Sequence, residues 1–89
     1  MVSAEVTVLN SLGLHARPIT KLVKVLSGNS DHVVLKKGDK TADAKNIYQV
    51  IALNARCGDK LSLCVEGDGE GETLTTVVDL FEKKFNELM

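Results

Sequence analysis

Apolar and polar residues alternate at the start of the chain, where Val2, Ala4, Val6 and Val8 are separated by Ser3, Glu5 and Thr7. A period of two sets one face of a strand against a core, and this strand is predicted to end near Leu9. Asn10-Ser11-Leu12-Gly13 reads as a loop. Ile19, Leu22, Val23 and Leu26 then recur at helical spacing with Lys21 and Lys24 off the stripe, and Ser27-Gly28-Asn29 ends that helix, Gly28 suiting a left-handed cap. Val33 and Leu35 form the inward pair of a second strand. Lys37-Gly38-Asp39-Lys40 is turn chemistry leading into a short third strand near Thr41 to Ala44, so the two strands are predicted to form a hairpin. Asn46 is suited to N-cap a short helix from Ile47 to about Leu53, and Arg56-Cys57-Gly58-Asp59 closes that segment. A fourth strand has Leu61, Leu63 and Val65 inward and Ser62, Cys64 and Glu66 outward. Gly67-Asp68-Gly69-Glu70-Gly71 then opens a last helix with the stripe Leu74, Val77, Val78, Phe81, Phe85 and Leu88. The order strand, helix, strand, strand, helix, strand, helix, with clean alternation in the strands, predicts an α+β two-layer sandwich with one wet sheet face and one covered by helices.

Composition narrows the function more than the fold. The chain has 89 residues, 44% of them hydrophobic and 26% charged, which fits one compact domain spanning residues 1–89 without a metal or a disulfide. Its aromatics are Tyr48, Phe81 and Phe85, so the stacking platforms of single-strand binders are missing. A net charge of −1 gives no general attraction to nucleic acid or an acidic membrane. No apolar run approaches the roughly 20 residues that span a bilayer, and Met1-Val2-Ser3-Ala4-Glu5 lacks the character of a signal peptide. A cytosolic protein is expected, with Cys57 and Cys64 as free thiols, Cys57 in a loop being the more reactive.

The run Gly13-Leu14-His15-Ala16-Arg17-Pro18 carries the chemistry. Proline is tolerated in the first turn of a helix, so the helix is predicted to start at Ala16 to Pro18. Its first N–H groups and the positive end of its dipole then form an anion site directly beside the imidazole. Taken alone, His15 reads as a capping or loop histidine with no chemistry. Its neighbours change that balance. Helix N–H groups disfavour a charged imidazolium, leaving a neutral ring nitrogen able to attack phosphorus. Arg17 offers a fork of donors for the arriving charge, and phosphoryl transfer needs mainly positioning and charge stabilisation.

The segment Ile47, Tyr48, Val50, Ile51, Ala52 and Leu53 is apolar nearly all round. Val50 and Leu53 are assigned to the core, and Ile47, Tyr48 and Ile51 to a surface patch, the plainer alternative being that Tyr48 caps the core. Thr20, Lys21, Lys24 and Ser27 follow Arg17 along the exposed side of the first helix. Lys21, Lys24 and Lys45 either meet acidic partner surfaces or serve solubility. The glycines 67, 69 and 71 do not match GxGxxG and read as a turn. Glu66, Asp68, Glu70 and Glu72 are read as acids favoured at a helix start in preference to a weak cation site, so no metal is expected. His32 is read as a surface residue.

Gly13-Leu14-His15-Ala16-Arg17-Pro18 resembles the active-site segment of the HPr family, the histidine-containing phosphocarriers of the bacterial phosphoenolpyruvate-dependent phosphotransferase system. The resemblance covers nearly the whole chain, including its length, its element order and Ala44-Lys45-Asn46-Ile47 at the second helix. It implies an open-faced sandwich of four antiparallel strands with three helices on one side. It also implies that His15 takes a phosphoryl group on Nδ1 from phosphorylated enzyme I and passes it to IIA domains of sugar permeases. Arg17 and the N–H groups of Ala16 and Arg17 would hold that group. Partners would dock across the first two helices, at Thr20, Lys21, Lys24, Ser27, Lys45, Ile47, Tyr48 and Ile51. The chain departs from the commonest family pattern at Asn46, where many members have a serine that a dedicated kinase phosphorylates in some bacteria. Asparagine keeps the cap and has no hydroxyl, so that regulation is expected to be absent. The expected protein is a monomeric transferase component without a cofactor, not a stand-alone enzyme. The alternative is a regulatory paralogue of the nitrogen-related or catabolite-control branch acting chiefly by binding, which would not need both His15 and Arg17. An unrelated α+β ligand-binding domain with a coincidental motif is the third reading, and the full-length pattern argues against it.

Overall fold

Period-two alternation becomes a set of apolar rows once the strands pair. The structure, a computed structural model, describes residues 1–10, 13–83 and 85. Strands β1 (Val2–Thr7), β2 (His32–Lys37), β3 (Lys40–Asp43) and β4 (Lys60–Glu66) form one antiparallel sheet in the order β1-β4-β2-β3. The register aligns Ala4, Leu63, Leu35 and Ala42 across all four strands, and Val2, Val65 and Val33 across three. Helices α1 (Ala16–Leu26), α2 (Ile47–Ala52) and α3 (Glu70–Glu82) cover this face. Ile19, Leu22 and Leu26 of α1, Val50 of α2, and Val77 and Phe81 of α3 are buried against it. The opposite face carries Ser3, Glu5, Ser62, Glu66, His32, Lys36 and Thr41, all exposed. The predicted open-faced α+β sandwich is therefore the fold observed.

Local signals account for the element ends. Gly28, just beyond the Ser27 cap of α1, has φ +83°, the left-handed conformation that favours glycine. The Asn46 side chain accepts from the N–H groups of Tyr48 and Gln49, at 3.0 and 3.2 Å. A six-residue helix is marginal by itself. This one is also tied to β3, because the Asp43 N–H donates to Gln49 Oε1 at 2.9 Å.

Three boundaries differ from the pattern-based expectation. β1 ends at Thr7, not near Leu9, because Val8 turns its hydrogen bonds to the segment before β4: its N–H donates to the Asp59 carbonyl at 2.9 Å and its carbonyl accepts from the Gly58 N–H at 2.8 Å. The third strand covers Lys40–Asp43, one residue earlier than expected. α3 stops at Glu82 although the apolar stripe continues. Phe85 lies beyond the helix with φ +54° and stays buried by setting its ring edge-to-face on Phe81, centroids 4.9 Å apart at 66°. Thr73 joins the buried face of α3 with Val77 and Phe81. Its hydroxyl donates to Asp31 Oδ2 at 2.8 Å and accepts from Asn29 Nδ2 at 2.9 Å, which satisfies the buried polar atoms. Leu88 and the loop residues Ser11 and Leu12 lie outside the described residues.

The segment from Asn54 to Asp59 supports the loop that carries His15. The Leu14 N–H donates to the Ala55 carbonyl at 2.9 Å. Gly13 has φ +74°, and a Cβ there would fall 2.7 Å from the Ala55 oxygen and 2.9 Å from the Arg56 Cα. Asp59 closes the segment: its carboxylate accepts from the Arg56 N–H at 2.9 Å and lies 3.1 Å from the Lys37 ammonium. The Arg56 N–H, with Lys37 behind it, holds the Asp59 carboxyl below its ordinary value.

Two outcomes are expected. Gly13→Ala, which meets both a left-handed backbone and a backbone clash, should cost on the order of 2 kcal/mol in urea denaturation. A depressed carboxylate stabilises the fold above its unfolded pKa, and loses that contribution as pH falls through the folded pKa. Asp59→Asn should therefore lower stability at neutral pH, with the gap to the native protein closing as pH drops below about 4; a gap independent of pH would contradict this assignment.

Candidate functional site

His15 is the N-cap of α1, with extended backbone at φ −102° and ψ −173°. Its N–H donates to the Gly13 carbonyl at 3.2 Å and its carbonyl accepts from the Ile19 N–H at 3.2 Å. Leu14 and Pro18 are buried on either side of it while His15 itself is half-buried. The chain is thus anchored before and after the imidazole. Pro18 supplies no N–H, and that of Ile19 is engaged, so the outward donors of the first turn are those of Ala16 and Arg17, both exposed.

Helix starts differ in what they offer an anion. The first turn of α1 contains no acidic side chain. Asn46 fills the start of α2 with its own oxygen, and α3 has Glu70 and Glu72 in its first turn. At α1 the positive end of the dipole faces His15 and the Arg17 backbone with no carboxylate from its own first turn. An anion carried on the ring would meet N–H donors and a guanidinium-bearing residue two positions along the chain.

The remaining predicted residues divide. Tyr48 is 80% and Ile51 46% exposed, on a helix that packs beside α1. Val50 and Leu53 are buried as expected. Ile47 is only half-buried and packs against the core, so it contributes less to the patch than its sequence position suggested. On α1, Lys24 and Ser27 are exposed and Lys21 is half-buried. The Thr20 hydroxyl donates back to the Ala16 carbonyl at 2.7 Å, and Lys24 lies in the last turn, where a cation suits the dipole. Lys45 differs from the expected free docking cation: its ammonium donates to the Asn29 carbonyl, which holds it against the α1–β2 connection. Cys57 is an exposed free thiol and Cys64 a half-buried one. Among the described residues no group of three or more His, Cys, Asp or Glu is arranged to hold a metal, and no helix is long and apolar enough to cross a membrane.

Lys37, Asn54, Ala55 and Asp59 support the site without having been singled out in the sequence. A signal was available for Lys37. It continues the parity of Val33 and Leu35, so it belongs to the helix-covered side of the sheet and not only to a turn.

Comparison with known proteins agrees with the geometry. The family model described as "PTS HPr component phosphorylation site" matches residues 2–83. The phosphocarrier protein HPr of Treponema pallidum is 39% identical over 87 residues, covering 98% of this chain and 99% of that protein. Phosphocarrier protein NPr of Escherichia coli K12 is 32% identical over 87 residues, covering 97% of each. A crystal structure of HPr from Thermoanaerobacter tengcongensis superposes over the full length of both chains with a TM-score of 0.94 at 35% identity. On this combined evidence the chain belongs to the HPr family of phosphocarriers of the phosphotransferase system.

Proposed function

We propose that His15 is the phosphoryl acceptor, that phosphorylated enzyme I is the donor, and that IIA domains of sugar permeases are the recipients. The neutral Nδ1 lone pair attacks phosphorus, the bond to the donor group breaks, and that group keeps the electron pair. The reverse exchange onto a recipient regenerates His15. Arg17 and the first-turn N–H groups of Ala16 and Arg17 stabilise charge on the equatorial oxygens. The observation that carries this reading is the position of His15 as N-cap of a helix whose first turn has no acid. Transfer is favoured over a regulatory paralogue acting chiefly by binding because the chain carries both His15 and Arg17.

Partners dock on the exposed faces of α1 and α2, with Tyr48 and Ile51 as the apolar contacts and Arg17, Lys21 and Lys24 meeting acidic surfaces. Asn46 leaves this chain without a hydroxyl at the start of α2, so a serine kinase has no acceptor there. The protein works as a cytoplasmic monomer that needs no cofactor, its 89 residues forming one domain.

Mixing the protein with phosphoenolpyruvate and catalytic enzyme I should add one acid-labile phosphoryl group by intact mass. His15→Ala should abolish that gain while remaining folded, and Arg17→Ala should slow transfer by about a hundredfold. Stoichiometric phosphorylation of His15→Ala would move the acceptor elsewhere. Tyr48→Ala should change stability by no more than about 0.5 kcal/mol, as for exposed sites generally, and raise the KM for transfer; a large stability loss with unchanged KM would return Tyr48 to the core.

A further inference from the structure

We propose that Lys37 and Asp59 form a clamp that positions His15 for transfer, an inference that rests on the reading of His15 as acceptor. Lys37 ends β2 with the parity of the buried Val33 and Leu35 and is itself half-buried. Its ammonium joins two points of the segment between α2 and β4. It donates to the Asn54 carbonyl at 2.9 Å and pairs with Asp59 at 3.1 Å. Asn54, just past the Leu53 cap of α2, has φ +52°, a left-handed helix stop that asparagine accepts better than other residues with a side chain. Asp59 in turn accepts from the Arg56 N–H. One cation therefore ties both ends of a six-residue segment, with Ala55 between them.

Ala55 is where that segment meets the active-site loop. Its carbonyl accepts from the Leu14 N–H at 2.9 Å, and the Gly13 Cα lies so close that a methyl group would not fit. The Asp59 carbonyl and Gly58 N–H hold Val8, the residue just past Thr7 at the end of β1. The clamp thus holds the backbone against which Val8, Gly13 and Leu14 are laid. Lys37 and Asp59 are 31% and 33% exposed, and ion pairs of that kind add little to global stability. Their effect is on alignment, to which in-line phosphoryl transfer is sensitive. Both are positioning residues, acting through Ala55 and Leu14.

The test compares Lys37→Met, which keeps the stem and removes the charge, with Asp59→Asn, the double variant and Lys37→Arg. Two donor-independent signals are read by NMR: hydrogen exchange of the Leu14 amide and the ring resonances of His15. Transfer from phosphorylated enzyme I is followed in parallel. The clamp predicts that Lys37→Met speeds Leu14 exchange about tenfold, shifts the His15 ring signals and lowers kcat about tenfold with KM unchanged. The double variant should be no worse than the single ones, and Lys37→Arg should recover most of the loss. Leu14 exchange and kcat at native values in Lys37→Met would overturn the clamp. So would a rise in KM alone, which would make Lys37 a docking residue, or losses that merely track global unfolding. Failure of the unaltered protein to take a phosphoryl group overturns the acceptor reading itself, and the NMR signals separate that result from failure of the clamp.

Discussion

The hydrogen bond from the Leu14 N–H to the Ala55 carbonyl is the constraint on which the site depends, and the topology brings the two backbones that make it together. β1 and β4 are antiparallel neighbours, with Thr7 at the end of one opposite Lys60 at the start of the other. The connection leaving β1 and the connection entering β4 therefore lie at the same end of the sheet. The first must turn back over the sheet to start α1, and the second must come down from α2. Two backbones forced together need their polar groups paired and need a residue without Cβ at the closest approach. Leu14 and Ala55 supply the pair, and Gly13 supplies the missing Cβ.

Anchoring on that contact leaves the start of α1 exposed without leaving it loose. Leu14, Pro18 and Ile19 are buried while Ala16 and Arg17 are exposed, so side chains on one side of the first turn fix the donors on the other. The helix gains its place from the core stripe of Ile19, Leu22 and Leu26, and its polar end is left for chemistry. The first turns of the other two helices lack this opening, one being filled by Asn46 and the other carrying Glu70 and Glu72. Among the described helices, the start that favours an anion is the one at the histidine.

Much of this was legible in the sequence because it is local. Strand alternation, the Gly28 stop, the Asn46 cap and the sequence of residues 13–18 each follow from a few neighbouring residues, and the layers follow from their order. What was not legible depends on distant partners. Lys45 reads as a surface cation until Asn29, 16 positions away, provides the carbonyl that holds it. Thr73 reads as polar surface until Asp31 and Asn29 enclose it. The apolar stripe of α3 continues in the sequence to Phe85 and Leu88, but Phe85 reaches the core from outside the helix, since ring burial against Phe81 needs proximity and not helical phase. Lys37 reads as turn chemistry because the turn residues beside it, Gly38 and Asp39, mask its parity with Val33 and Leu35.

The proposed relay also sets an upper bound on how tightly the chain should hold its partners. A carrier that meets a donor and then a recipient on the same face is limited by release as well as by encounter. The apolar contacts available on α2 are one largely exposed tyrosine and one half-exposed isoleucine, Ile47 being drawn toward the core. That is a small surface to desolvate. The cations along α1 act differently, since charge complementarity raises encounter rates more than it lengthens residence. A docking face with few apolar anchors and a cationic flank suits rapid exchange. Precision then cannot come from a long-lived complex that selects the right geometry. It has to be present in the free protein, which is what the buried flanks of His15 and the support under Leu14 provide.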